Sequence, residues 1–113
     1  MIEPTIIAYL LEELDLPVSG AVPSNPPDTF VTVEKTGGRR TNRIDAATVA
    51  IQSWAPSIEQ AAVLNDRVKA AMENIVQLDS ISSCDLDADY NYTDNTRKRP
   101  RYQALFDVVY YDD

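Results

Sequence analysis

Residues 57–76, "SIEQAAVLNDRVKAAMENIV", constrain the fold more than any other stretch, because they read as one long amphipathic helix standing between two pairs of strands. Pro56 precedes Ser57, and Gln60 completes a capping box in which each side chain satisfies an orphan backbone donor at the helix start. Ala61, Leu64, Val68, Met72 and Ile75 follow at three- and four-residue steps. The spacing predicts a helix over 57–76, about 30 Å long at 1.5 Å per residue. It must carry the chain from a strand ending near Trp54 back across the sheet to one starting near Ile81. Strands joined in this way are parallel within one sheet.

The strands on either side are legible as alternation. Before the helix, "FVTVEK" (30–35) and "IDAATVAIQSWA" (44–55) are rich in β-branched residues, and Gly37 and Gly38 between them supply a turn. Val31 and Val33 are expected on the core face beside Val49 and Ile51. After the helix, "CDLDADYNY" places Cys84, Leu86, Ala88, Tyr90 and Tyr92 on one face and Asp85, Asp87, Asp89 and Asn91 on the other. Pairing Tyr92 with Tyr102, Tyr90 with Ala104, Ala88 with Phe106 and Leu86 with Val108 buries both apolar sets in one register. At the N-terminus, Pro4 suits a first helical turn, and Ile6, Ile7, Leu10, Leu11 and Leu14 form an apolar stripe on a helix of about 11 residues that Pro17 and Gly20 end. Residues 18–28 hold three prolines and a glycine and read as a loop with at most a short edge strand. The 113 residues thus form one small α+β domain of order α-β-β-α-β-β.

Charge separates this chain from nucleic-acid binders. The formal net charge is −8, and seven of the ten Lys and Arg residues cluster in two windows: Arg39, Arg40 and Arg43, then Arg97, Lys98, Arg99 and Arg101. Only Lys35, Arg67 and Lys69 stand elsewhere, against eighteen acids, so the body repels nucleic acid. Each window tips a hairpin, and the crossover puts the tips at opposite ends of the domain, about 25 Å apart at 3.3 Å per residue. A solvated loop, a phosphate site and a protein interface are the three readings of such a tip. Neither window interleaves an aromatic for base stacking, and arginine meeting the acidic body of a neighbour favours the interface. Leu105, Val109 and Tyr111 fall on the same outer face as Gln103 and Asp107, an apolar streak that self-association would cover. The expected interaction residues are therefore both basic windows together with Leu105 and Val109, and reversing Arg97 and Arg99 to Glu is expected to weaken assembly without unfolding the chain.

Catalysis finds little support. The chain has no histidine, Ser57 is accounted for by capping, and the lone Cys84 alternates with core residues. "DLDADYNYTDN" superficially resembles a calcium loop, but Tyr90 occupies the place of the required glycine, and alternation already explains Asp85, Asp87 and Asp89 as the wet face of a strand. No cofactor or metal is expected. No stretch approaches the roughly 20 apolar residues of a membrane span, and the acidic N-terminus is unlike a signal peptide, so a soluble cytoplasmic product is expected.

Taken in succession, "PPDTFVTVEKTGG", "ATVAIQSWAPSIEQAAVLNDRVKAAM" and "RYQALFDVVYY" resemble the tail-terminator, or tail-completion, proteins of long-tailed bacteriophages. The matching positions are Pro27, Phe30, Gln52, Trp54, Ala61, Arg101, Phe106 and Tyr110, a likeness of pattern and length over nearly the whole chain. It implies two helices packed on one face of a mostly antiparallel sheet, in a non-enzymatic subunit of a hexameric ring. Such a ring sits on the last ring of tail-tube protein, stops tube polymerisation and offers its other side to head-completion proteins, while DNA passes through the lumen without specific binding. The implied location is the tail–neck region of the virion, after assembly in the host cytoplasm. A head-closure or neck adaptor role, and a small intracellular ligand-binding module, are the alternatives.

Overall fold

The computed structural model describes residues 1–96 and 98–111 of the chain. Helix α1 (Ile2–Leu14) buries Ile2, Ile6, Tyr9, Leu10 and Leu14 and stops at Asp15, whose left-handed conformation (φ 53°, ψ 47°) turns its N–H back to the Leu11 carbonyl. Termination therefore comes before Pro17. Strand β1 (Val18–Ser19) pairs in parallel with β2 (Phe30–Thr41), which pairs antiparallel with β3 (Ile44–Trp54). Helix α2 (Ile58–Glu73) leads through a 3-10 turn (Ile75–Gln77) to β4 (Ile81–Asn91) and β5 (Arg101–Tyr111). The sheet order is β1-β2-β3-β5-β4. Strands β3 and β4 each run antiparallel to β5, so they are parallel to one another, as the crossover requires. The α+β class and mostly antiparallel sheet match expectation; β1 and the 3-10 turn are additions to the expected order.

Both helices lie on one face of the sheet and close a single core with Val31, Val33, Val49, Ile51, Ala104, Phe106 and Val108. The Tyr9 hydroxyl donates to the Ala71 carbonyl (2.7 Å), and Arg67 of α2 donates to the Leu14 carbonyl (2.7 Å), satisfying a helix-end acceptor that α1 itself cannot. Burial and the nearby Glu13 raise the Tyr9 pKa, which keeps that donor protonated. At the start of α2 the Ser57 hydroxyl oxygen accepts from the Gln60 N–H (3.2 Å). Its O–H donates to Gln60 Oε1 (3.1 Å). The cap forms, while the helix ends at Glu73, short of the expected Val76, because Asn74 leaves helical geometry (φ −100°, ψ 1°).

Two readings are corrected. The first hairpin does not turn at Gly37 and Gly38: these lie within β2, after a bulge between Lys35 and Gly37, and the turn is Asn42–Arg43, both at positive φ (53° and 66°). Two successive left-handed residues make the tight turn whose twist matches that of the flanking strands, and asparagine is among the few side chains that enter it cheaply. Arginine is not. Arg43→Gly is expected to stabilise the fold by about 1 kcal/mol, read as a higher urea midpoint with an unchanged slope.

The second correction concerns the last hairpin. Strand β4 carries bulges between Ile81 and Ser83 and between Leu86 and Ala88, so Leu86 faces Phe106, Ala88 faces Leu105, Tyr90 faces Gln103 and Asn91 faces Tyr102. The extra residue reverses the faces beyond Leu86. Asp89 thus turns toward α2, where it accepts from Asn65 Nδ2 and Lys69 Nζ, each at 2.8 Å, instead of facing water. Tyr90 and Tyr92, expected inside, are 40% and 44% exposed, and Leu86 on this edge strand is 45% exposed.

Candidate interaction surface

On the face opposite the helices, the β4–β5 end is built from alternating cations and rings. Phe30 stacks on Trp54 (centroids 5.3 Å apart, planes within 7°), and Trp54 pairs with Arg101 in the register. The Arg101 guanidinium lies between Trp54 (4.7 Å) and Tyr92 (4.4 Å), and its Nε donates to the Tyr92 carbonyl. At the other end of the ladder, Arg99 covers Phe30 (5.4 Å) and donates to the Pro27 carbonyl (2.8 Å), clasping the proline-rich loop onto the sheet. Cations over ring faces are attracted by the ring quadrupole, and the attraction grows as water is removed. Phe30 and Trp54 are 1% and 2% exposed although no helix covers them.

Beside this ladder runs a directed chain of hydrogen bonds across four strands. Trp54 Nε1 donates to Thr32 Oγ1 (3.2 Å), the Thr32 hydroxyl to Gln52 Oε1 (2.6 Å), Gln52 Nε2 to Gln103 Oε1 (2.6 Å), and Gln103 Nε2 to the Tyr90 hydroxyl (2.6 Å). Trp54, Thr32, Gln52 and Gln103 line a recess of about 350 Å³ together with residues 20–22. Because those four side chains are hydrogen-bonded to one another, the recess offers a small ligand few unpaired groups. Alternation alone assigns Thr32, Gln52 and Gln103 to a wet face. All three are buried, and residues 20–22 line the recess with them, a placement that no periodicity reports.

The other half of the same face is open. Leu105 and Val109 are half-buried and Tyr111 and Ile44 exposed, and a shallow trough of about 540 Å³ runs along Gly37, Gly38, Ala46 and Thr48, where small residues leave the backbone uncovered. Thr48 donates to Asp107 across it (3.4 Å). Arg39 borders this trough and is exposed; Arg40 lies within 4.0 Å of Asp45; Arg43 sits in the turn. In the far tip Lys98 is exposed at positive φ (54°), and Arg97 lies outside the described residues. The tips occupy opposite ends of β3, about 33 Å apart along the strand. Arg99 and Arg101 are bound into the fold, so Arg99→Glu is expected to lower stability as well as assembly, whereas Arg39 and Lys98 face solvent.

Burial first, then Asp85 and Asp107, push the Cys84 thiol up to about 11, so it stays protonated at neutral pH. Among the described residues no group of His, Cys, Asp or Glu could hold a metal, and no helix is long and apolar enough to cross a membrane.

The Asp89–Lys69 pair sets a pH dependence. The hydrogen bond from Lys69, with that from Asn65, holds the Asp89 carboxyl below its ordinary range despite burial; the same bond, with Asp66, raises Lys69. A lowered acid contributes stability fully above its unfolded pKa and loses it as pH falls through the folded value. A raised base contributes fully below its unfolded pKa and loses it as pH rises through its folded value. Stability is expected to fall below about pH 4 and above about pH 10. Asp89→Asn should flatten the acid limb in urea titrations at successive pH values.

No protein-family model matches the chain, and no curated protein matches it.

Proposed function

We propose that this chain is the tail terminator of a long-tailed bacteriophage: a non-enzymatic subunit that assembles, six to a ring, on the end of the tail tube, stops its polymerisation and forms the surface to which head-completion proteins bind. One observation carries the reading. A single continuous sheet bears a basic turn at each end and, between them, a sheet face left half-open and apolar at Ile44, Leu105, Val109 and Tyr111. A subunit with two distinct ends and an uncovered side suits a ring placed between two different partners, with Arg39 and Arg43 toward one and Lys98 toward the other. The acidic remainder suits a lumen through which DNA slides without sticking. Its place is the tail–neck region of the virion.

The test is infection by the phage with this gene interrupted. Overlong tails that fail to join heads are the expected result, restored to normal by supplying the protein in trans. Normal-length tails with heads that leak DNA would replace termination by head closure, and normal particles would overturn both.

A further inference from the structure

The sheet ends in two long unpaired edges of opposite charge. Strand β1 covers β2 only at Val31 and Thr32, so residues 33–41 form one edge, and β4 forms the other. Lys35, Arg39 and Arg40 line the first, with Glu34 its one acid, so that edge is net positive; Asp85 and Asp87 line the second. Arg39, Asp85 and Asp87 are exposed and make no ion pair among the described residues. Charges on an edge strand ordinarily prevent strands from adding to it. Here they do so selectively: β2 against β2 sets cation on cation, β4 against β4 sets acid on acid, and only β2 against β4 is complementary. Gly37 sits on the β2 edge with open space where a side chain would stand, and glycine within a strand marks a place where another backbone can approach; the space at Gly38 is taken by Lys35 and the Ala46 carbonyl.

We propose that copies of this chain join head to tail by pairing the β2 edge of one with the β4 edge of the next, with Arg39 of one copy beside Asp85 of its neighbour. The topology makes this junction antiparallel, because β2 and β4 run in opposite directions within each sheet. The register is nearly set as well. Arg39 is level with Ser83 through Ala46 and Val109, and both Arg39 and Asp85 belong to the open face. A stagger of two residues brings them opposite without reversing faces. A head-to-tail contact uses two different surfaces and closes into a ring when its rotation allows. All β2–β3 turns then lie on one side of that ring and all β4–β5 turns on the other. The pairing rests on the ring reading above only for its closure, and the junction is tested separately.

In the full chain carrying Cys84→Ser, Arg39→Cys and Asp85→Cys placed together should form disulfides between copies on oxidation at high protein concentration. Denaturing gels without reductant should show a ladder extending beyond the dimer. Each single cysteine alone should give none, and mixing the two single variants should give dimers only. Arg39→Glu should weaken association about tenfold, and adding Asp85→Arg should restore it. Oligomers lacking the 39–85 cross-link, cross-links from either cysteine alone, or a chain that stays monomeric and uncross-linked would overturn edge pairing. Oligomers without the cross-link leave the ring reading standing. A full ladder, with tails of normal length when the gene is interrupted, leaves the edge pairing and overturns the terminator.

Discussion

Trp54→Ala is expected to destabilise the protein by about 4 kcal/mol, close to the largest effect available to one side chain here. The indole is 2% exposed, stacked on Phe30, covered by Arg101 and hydrogen-bonded to Thr32. Truncation leaves a cavity, strips two neighbours of their ring contact and removes the donor that begins the hydrogen-bond chain across the sheet. Trp54 is the sole tryptophan, so fluorescence is lost with it and the urea transition should be followed by far-ultraviolet circular dichroism. A loss below about 1 kcal/mol would mean that the loop and Arg101 close over the gap, and that the ladder does not hold this end of the sheet together.

The second large effect is expected at Arg101. Arg101→Ala removes a guanidinium held between two rings and its bond to the Tyr92 carbonyl, and should cost about 2–3 kcal/mol. Arg101→Lys should recover only part of this, because an ammonium cannot lie flat against both rings. Lys98→Glu, three residues away in the same basic window, should change stability by less than about 0.5 kcal/mol. Equal effects at 98 and 101 would erase the distinction between a cation that builds the fold and one presented to a partner. The distinction governs how assembly defects are interpreted. A loss of joining in an Arg99 or Arg101 variant reports folding first, whereas a loss in an Arg39 or Lys98 variant reports a contact.

Much of the architecture was legible because it rests on short-range pattern. The three- and four-residue spacing in α2, its Ser57 cap and the alternation in β3 and β5 each express a local geometry directly in residue order. Opposite placement of the two basic turns followed from connectivity alone, since one crossover helix separates the hairpins. What failed were interruptions of alternation. The bulge after Leu86 costs the edge strand little and gains the bonds of Asp89 to Asn65 and Lys69, partners that lie 24 and 20 residues away. Gly37 and Gly38 resembled a turn because glycine permits one, yet Asn42 and Arg43 are themselves the two-residue loop, whose left-handed geometry matches the strand twist.

The candidate surface divides along the same line. Sequence determined where the cations and the acidic body lie and that Leu105 and Val109 share a face. Only tertiary structure decided which arginines are spoken for. Phe30, Trp54 and the Tyr92–Arg101 hairpin are far apart in the chain and meet because β2, β3 and β5 align their ends in one row, and a cation is drawn to a ring by distance and dehydration, quantities that residue order does not contain. The opposite charges of the two sheet edges likewise emerged only once β5 had been inserted between β3 and β4, which left β4 outermost with Asp85 and Asp87 exposed.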